Sequence, residues 1–208
     1  MSKNVCYIFC AGDLYDDKII IPENSFVIAA DGGLNHTKAL GITPDVILGD
    51  FDSIEKPDED CIVYPTEKDF TDSFIAAKYA YDSGYRTIHM YGCIGGIRLD
   101  HTVANIAMLE YFAKLQCDIT LHAENQSVKA FYSEQNETSV FFDDYKKGYV
   151  SLFAVGGDVV GLSIKGLKYE LENHTLSSAF PLGVSNEFTG NNAIVTFKSG
   201  TLLIIFDN

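Results

Sequence analysis

Val46-Ile47-Leu48-Gly49-Asp50-Phe51-Asp52-Ser53 decides how this chain reads. Three apolar residues run straight into two carboxylates spaced i and i+2. An apolar run of this length, closed by a glycine, predicts a buried strand. The acidic pair then falls at the strand's carboxyl end, where open α/β sheets bind ligands. Two carboxylates held there repel each other unless a cation or a shared proton offsets the repulsion. An all-oxygen acidic site suits Mg²⁺, which is commonly held by one or two carboxylates together with substrate phosphates. The plainer alternative, a solvated acidic loop, leaves the apolar lead-in and Gly49 without a purpose.

Working outward, the residues on both sides alternate strand-like and helix-like patterns. Val5 to Cys10 and Ser25 to Ala30 are short apolar runs, closed by Ala11-Gly12-Asp13 and Asp31-Gly32-Gly33. A helix is expected from Leu34 to Leu40, stopped by Gly41 with Pro44 just beyond. Further strands are expected at Cys61 to Tyr64, Arg86 to Tyr91 and Ile119 to His122. Between them lie two helices. The first covers Asp69 to Asp82, with Phe74, Ala77 and Tyr81 on its apolar face. The second covers Asp100 to Lys114, with Val103, Ile106, Ala107 and Tyr111 on its apolar face. Strands alternating with helices predict a mainly parallel, Rossmann-like α/β sheet.

After Glu124 no helical period returns. Six strands are expected, at 128–132, 138–142, 149–155, 159–164, 193–197 and 202–206. Lys147-Gly148, Gly156-Gly157-Asp158, Lys165-Gly166 and Ser199-Gly200 read as hairpin turns between them. This pattern predicts an all-β sandwich over 124–208, following an α/β domain over 1–123.

The 208 residues are long enough to bury a substantial core, and the net charge is −14. That charge repels a nucleic-acid partner, yet it admits a nucleotide whose phosphates are screened locally by a metal ion. Five cysteines, an odd number with no Cys-x-x-Cys spacing, argue against both a disulfide framework and a zinc site. They predict a reducing, cytoplasmic setting. The amino-terminal apolar run reads as a first strand and not as a signal peptide, and no apolar run is long enough to span a bilayer.

Four acidic stations recur in the first half. Asp31 precedes two glycines, and Asp50 and Asp52 form the pair. Lys68-Asp69-Phe70-Thr71-Asp72 opens a helix, and Gly95-Gly96-Ile97-Arg98-Leu99-Asp100-His101 is a glycine-rich loop entering another. A parallel sheet brings all strand ends to one edge, so the four stations are expected to converge. Helix N-termini there suit phosphate, and Lys68 and Arg98 can add charge-assisted contacts. Taken singly, Asp69, Asp72 and Asp100 are equally well explained as helix caps. His101 and Asn105 share a helix face without the companions a zinc site needs. His36 and Lys38 read as surface residues.

These residues also carry a resemblance. Ala30-Asp31-Gly32-Gly33 is followed by Pro44-Asp45 with Gly49-Asp50-Phe51-Asp52-Ser53. Next come Lys68-Asp69-Phe70-Thr71-Asp72, and then Gly95-Gly96 with Arg98-Leu99-Asp100-His101 and Asn105. Together they resemble, in order, the motifs of the thiamine pyrophosphokinase (thiamine diphosphokinase) family. Lys165-Gly166-Leu167-Lys168-Tyr169 and Ser185-Asn186-Glu187-Phe188 are similar to that family's signatures in its β-domain.

The resemblance implies an α/β domain that binds ATP and Mg²⁺, a β-sandwich that helps bind thiamine, and a homodimer with active sites between subunits. It implies transfer of a pyrophosphoryl group from ATP to the thiamine hydroxyl, releasing AMP. Asp31, Asp50, Asp52 and Asp72 would form the acidic metal and phosphate site, with Asp50, Asp52 and Asp72 on the metal. Asp31, Gly32, Lys68, Thr71 and Arg98 would contact ATP. Asp72 or Asp100 would accept the hydroxyl proton, and Ser185 and Asn186 would contact thiamine. Ile97 departs from the pattern by separating Gly96 from Arg98. With no Trp in the chain, the aromatic partner for thiamine falls to Phe or Tyr, and Phe188 is one candidate.

Two rival readings follow from the residues alone. Aspartate-nucleophile phosphatases and phosphotransferases also place Asp-x-Asp after an apolar strand. A non-catalytic protein that binds nucleotide or thiamine would need the same stations without turnover.

Overall fold

In the computed structural model, residues 5–15, 19–52 and 56–208 are described. Ser53, quoted above with the acidic pair, lies outside them. Apolar runs in the first half become the strands β1 (Val5–Phe9), β2 (Phe26–Ala30), β3 (Val46–Gly49), β4 (Ile62–Val63), β5 (Thr87–Tyr91) and β6 (Asp118–His122). Three helices intervene: α1 (Gly33–Ala39), α2 (Asp72–Asp82) and α3 (Leu99–Lys114). The second half supplies β7 (Gln126–Ser133), β8 (Thr138–Phe142), β9 (Tyr149–Lys165), β10 (Leu171–Leu176), β11 (Gly183–Glu187), β12 (Ala193–Phe197) and β13 (Ser199–Asp207). The strand pairing is mixed, parallel in the first half and antiparallel in the second.

The chain divides into two compact units. One takes the described residues through Met108 with Cys117–Glu124, and the other takes Leu109–Gln116 with Asn125–Asn208. In the first unit the strands run in the order β4-β3-β2-β1-β5-β6. Cys6, Ile8, Phe9, Ile28, Ala29, Leu48, Ile88 and Met90 are fully buried there. Such strands read as continuous apolar runs because helices or loops cover both faces of the sheet. The chain builds outward from β1 through β2, β3 and β4, then returns to β1's other side with β5 and β6. The order therefore reverses between β1 and β5, and a crevice opens beyond the carboxyl ends of the strands at such a switch point. Pro44-Asp45 serves this frame, because the Asp45 carboxylate accepts the Val27 N–H at 2.9 Å and pins β3 beside β2.

Both longer helices depart from the expected faces. α2 starts at Asp72, where Thr71 is the N-cap and its hydroxyl accepts the Phe74 N–H. It buries Ser73, Ala76, Ala77 and Ala80, a small-residue stripe that lets the helix lie close on the sheet, while Phe74 and Tyr81 are half-exposed. α3 buries Asn105, Met108, Leu109, Phe112 and Ala113. Most of the expected face is turned outward instead, with Val103 at 58% exposure, Ala107 and Tyr111 also exposed and Ile106 half-buried, and Leu99 is exposed on the same side. α3 is apolar on two sides, so periodicity alone could not say which side meets the core.

The second unit has strand order β7-β13-β9-β12-β8, with β10 and β11 also paired to β9. Its core gathers Val150, Leu152, Leu162, Val195, Phe197, Leu202 and Ile204. Three expected hairpins are absent among the described residues. Lys147-Gly148 joins β8 to β9, which β12 separates in the sheet. Gly156-Gly157-Asp158 is no turn, because the single 17-residue strand β9 runs through it. Gly156, at φ 68°, supplies a left-handed residue within that strand, and the register of β13 against β9 shifts at this point. Ser199-Gly200 joins β12 and β13, which pair with different parts of β9 and not with each other. β10 and β11 were missed in the sequence because Leu171–Leu176 and Gly183–Glu187 are polar and mostly exposed.

Candidate active site

The acidic stations owe their aim to two backbone residues in the left-handed region. Asp31 follows β2 at φ 48°, and its N–H bonds the Leu48 carbonyl at 2.8 Å. Phe51 follows β3 at φ 54°, and its ring packs with Ala29, Leu34 and Ile47. A bulky residue at positive φ is strained, and burial of that ring holds the strain in place. Asp50 and Asp52 flank Phe51, so anchoring the ring fixes both carboxylates. One oxygen from each of Asp31, Asp50 and Asp52 can lie within 4.8 Å of the others. This all-carboxylate donor set suits a hard divalent cation.

Lys68 sits beside this group. Its ammonium donates to Asp50 Oδ2 in a short contact and lies 3.2 Å from Asp72 Oδ1. The three side chains are only 13%, 8% and 22% exposed for Lys68, Asp50 and Asp72. Burial works to raise the Asp50 pKa, but the Lys68 hydrogen bond and the Asp52 N–H outweigh it and hold the carboxyl below its ordinary value. Burial lowers and the two carboxylates raise the Lys68 pKa, with a net upward shift. Asp72 goes the other way, because burial, aided by Asp50 and Asp31, exceeds the help from Lys68 and raises its pKa. The 3.2 Å approach is an ion pair without hydrogen-bond alignment, so Asp72 Oδ1 accepts no hydrogen bond among the described residues. Asp72, expected among the metal ligands, is thus joined to Asp50 through an ammonium.

The glycine-rich loop stands beyond β5. Gly95 N–H donates to Thr102 Oγ1, and that hydroxyl donates back to the Gly95 carbonyl. Arg98 donates twice to Asp100, at 2.9 and 2.8 Å, on the exposed first turn of α3. That fork lowers the Asp100 pKa to about 2. Arg98 is 61% exposed and Ile97 fully exposed, so neither is tied into the core.

Thr71 and Gly32 are placed as N-caps of α2 and α1. The Thr71 hydroxyl bonds the Phe74 N–H and meets Ser73 Oγ at 3.0 Å. Asp69 does not cap α2. Asn105, 3% exposed, accepts from Ser73 Oγ at 2.6 Å and donates to the Cys93 carbonyl at 2.7 Å. It therefore ties α3 to α2 and to the end of β5. Asn105→Ala is expected to cost about 1–3 kcal/mol of stability by removing the donor to the buried Cys93 carbonyl, while Ser73 Oγ keeps Thr71 Oγ1, read as a lower urea midpoint at unchanged slope. His36 was expected at the surface, yet its Nε2 lies 2.7 Å from the Gly12 carbonyl and secures the loop after β1. Sequence reasoning missed that contact and the Ser73 link, since neither His36 nor Ser73 sits in a pattern that marks a partner 24 or 32 residues away.

In the second unit the two β-domain motifs meet each other. Leu167 bridges Phe188, Lys168 N–H bonds the Glu187 carbonyl, and Lys168 Nζ reaches Glu187 at 2.6 Å. Asn186, expected to touch thiamine, is buried. Its side chain accepts the Tyr169 and Glu187 N–H groups and donates to the Tyr169 carbonyl. Phe188 stacks on Tyr145 inside the core. Ser185 is exposed at φ 61°, and Tyr169, 58% exposed, is an aromatic surface beside Asn186.

Carboxylates, a lysine and a glycine turn at the carboxyl ends of parallel strands form the arrangement in which open α/β sheets bind ligands. Residues 18–121 match the family model described as thiamin pyrophosphokinase, catalytic domain, and residues 137–202 match thiamin pyrophosphokinase, vitamin B1 binding domain. The chain belongs to the thiamin pyrophosphokinase family. It is 29% identical over 191 residues to thiamine pyrophosphokinase of Bacillus subtilis, covering 88% of this chain and 87% of that one. It is 28% identical over 189 residues to thiamin pyrophosphokinase 1 of Caenorhabditis elegans, covering 85% and 76%. Crystal structures of the enzymes from Bacillus subtilis and Geobacillus thermodenitrificans superpose with TM-scores of 0.85 and 0.83. They share 28% and 27% identity and cover 98% of this chain and 99% and 97% of theirs.

Proposed function

We propose that this chain transfers a pyrophosphoryl group from ATP to the hydroxyl of thiamine, giving thiamine diphosphate and AMP. The observation that carries the reading is the Asp31, Asp50 and Asp52 group at the carboxyl ends of β2 and β3, in a chain that matches both domains of this family. In this reading the first domain is a Rossmann-like ATP- and Mg²⁺-binding domain, and 124–208 is a sandwich that binds thiamine.

Asp31, Asp50 and Asp52 hold Mg²⁺, and when bound that ion neutralises phosphate charge in a reaction that needs positioning more than covalent chemistry. Lys68 and Arg98 take phosphate oxygens. The Gly32 and Thr71 helix starts orient the nucleotide. Asp72 accepts the hydroxyl proton, because its Oδ1 takes no hydrogen bond among the described residues whereas Arg98 engages both oxygens of Asp100. Ser185 contacts thiamine directly, and the exposed Tyr169 ring offers the aromatic face that the buried Phe188 cannot. Asn186 shapes that face through the Tyr169 backbone.

The outward apolar stripe Leu99, Val103, Ala107 and Tyr111 supports a homodimer with active sites between subunits. Val103→Glu is then expected to shift sedimentation from dimer to monomer, and an unchanged coefficient would remove this stripe from the interface. The charge of −14 disfavours a nucleic-acid partner, and the reading places the chain in the cytoplasm, off the membrane. Among the described residues no helix is long and apolar enough to cross a membrane.

The test is a product assay with ATP, Mg²⁺ and thiamine that resolves AMP from ADP. AMP formed in step with thiamine diphosphate is the expected result. ADP with a monophosphate, or no thiamine-dependent product, would overturn the reading.

A further inference from the structure

Asp50 is asked to do two things at once. It belongs to the carboxylate group suited to a divalent cation, and its Oδ2 accepts the Lys68 ammonium. Its other oxygen, Oδ1, receives the Asp52 N–H at 3.3 Å. Both oxygens are therefore engaged by positive or donor groups. Lys68 is nearly enclosed, and its second neighbour, Asp72, holds it from the next turn of chain at i+4. A full positive charge fixed a few ångströms from a cation site in a poorly solvated pocket opposes that cation strongly.

We infer that Lys68 sets the affinity of the carboxylate group for its divalent cation by competing for Asp50, and that nucleotide phosphate relieves the competition by offering Lys68 another acceptor. Cation and nucleotide then bind cooperatively, and by linkage each strengthens the other by the same factor. This makes Lys68 a positioning residue whose effect is felt at the cation and not only at ATP. The inference rests on the reading that Asp31, Asp50 and Asp52 hold the cation.

The experiment is a Mn²⁺ titration of the full chain without nucleotide, followed by the electron paramagnetic resonance of free Mn²⁺. Lys68→Gln is expected to bind Mn²⁺ about tenfold or more tightly than the unaltered protein. Lys68→Arg, which keeps the charge, stays close to it. A Lys68→Gln protein that binds Mn²⁺ equally or more weakly overturns the inference.

The second measurement needs no variant. Mn²⁺ is expected to raise the rate at which acetic anhydride acetylates Lys68, followed by mass spectrometry, because the amine is displaced from Asp50. A rate unchanged by saturating Mn²⁺ overturns the inference, and it decides the matter should Lys68→Gln fail to fold. The two readings fail separately. A chain that makes thiamine diphosphate and AMP while Lys68→Gln leaves Mn²⁺ binding unchanged loses only the competition. A chain that makes no such product loses the function whatever its Mn²⁺ affinity.

Discussion

Asp52→Asn leaves a folded protein whose turnover falls by about a hundredfold or more, the scale of removing one preorganised electrostatic contact from a transition state. The fold is spared because Asp52 is exposed, and the N–H it donates to Asp50 belongs to the backbone, which asparagine keeps. Chemistry suffers because the side chain loses the charge that completes the carboxylate group with Asp31 and Asp50. Asparagine still offers an oxygen, so the loss reports charge and not shape. Steady-state thiamine diphosphate formation, with circular dichroism and the melting midpoint as controls, separates the two. Near-normal turnover in a folded Asp52→Asn protein would take Asp52 out of the site.

Gly33→Ala has the opposite profile, a large loss of stability at a residue with no chemistry. A methyl placed on Gly33 would lie 1.9 Å from the Phe9 carbonyl oxygen, inside the buried backbone of β1. Neither partner can yield, since Phe9 is fully buried and Gly33 opens α1 directly after Asp31 and Gly32. The expected cost is about 3 kcal/mol, at the upper end of overpacking. For a chain of this length that lowers the melting midpoint by roughly 6–12 °C. Gly41→Ala is the control, because Gly41 sits at φ 68° with nothing within 4 Å of the added methyl. It carries backbone strain alone, about 1–2 kcal/mol. A Gly33→Ala protein as stable as Gly41→Ala would show that α1 can slide away from β1.

The parts of the fold that were legible are those with one dominant period. Val46-Ile47-Leu48 and the short apolar runs of β1, β2, β5 and β6 became largely buried strands, while Ile62-Val63 became an exposed one, and the glycines and prolines after them marked where the chain turned. α3 was legible as a helix but not in its orientation, because Val103 and Tyr111 on one side and Leu109 and Phe112 on the other are equally apolar. β10 and β11 left little trace in hydropathy, since their partner β9 supplies the ladder and most of their own side chains face outward. Gly156-Gly157 imitated a hairpin because a bulge and a turn both ask for glycine.

At the site, the grouping of Asp31 with Asp50 and Asp52 followed from strand ends sharing an edge. What the sequence withheld was distance. No spacing rule says that Lys68 bridges Asp50 and Asp72, that Asn186 turns its amide to the Tyr169 backbone, or that His36 reaches Gly12. Each depends on a side chain's reach across elements far apart in the chain.

One consequence of the β7-β13-β9-β12-β8 order concerns how the protein is made. β13 lies between β7 and β9, matching Gln126 to Asp207 and Leu152 to Ile204. The centre of that sheet is therefore filled by the last of its own strands to leave the ribosome. Until residue 207 has emerged, β7 and β9 are both open edges, the arrangement that most readily captures strands from other chains. The first unit can close as soon as residue 124 is free, whereas the second is obliged to wait. Aggregation during synthesis should accordingly track the delay between residues 165 and 207, so synonymous codons that slow this interval should lower soluble yield without altering the finished protein.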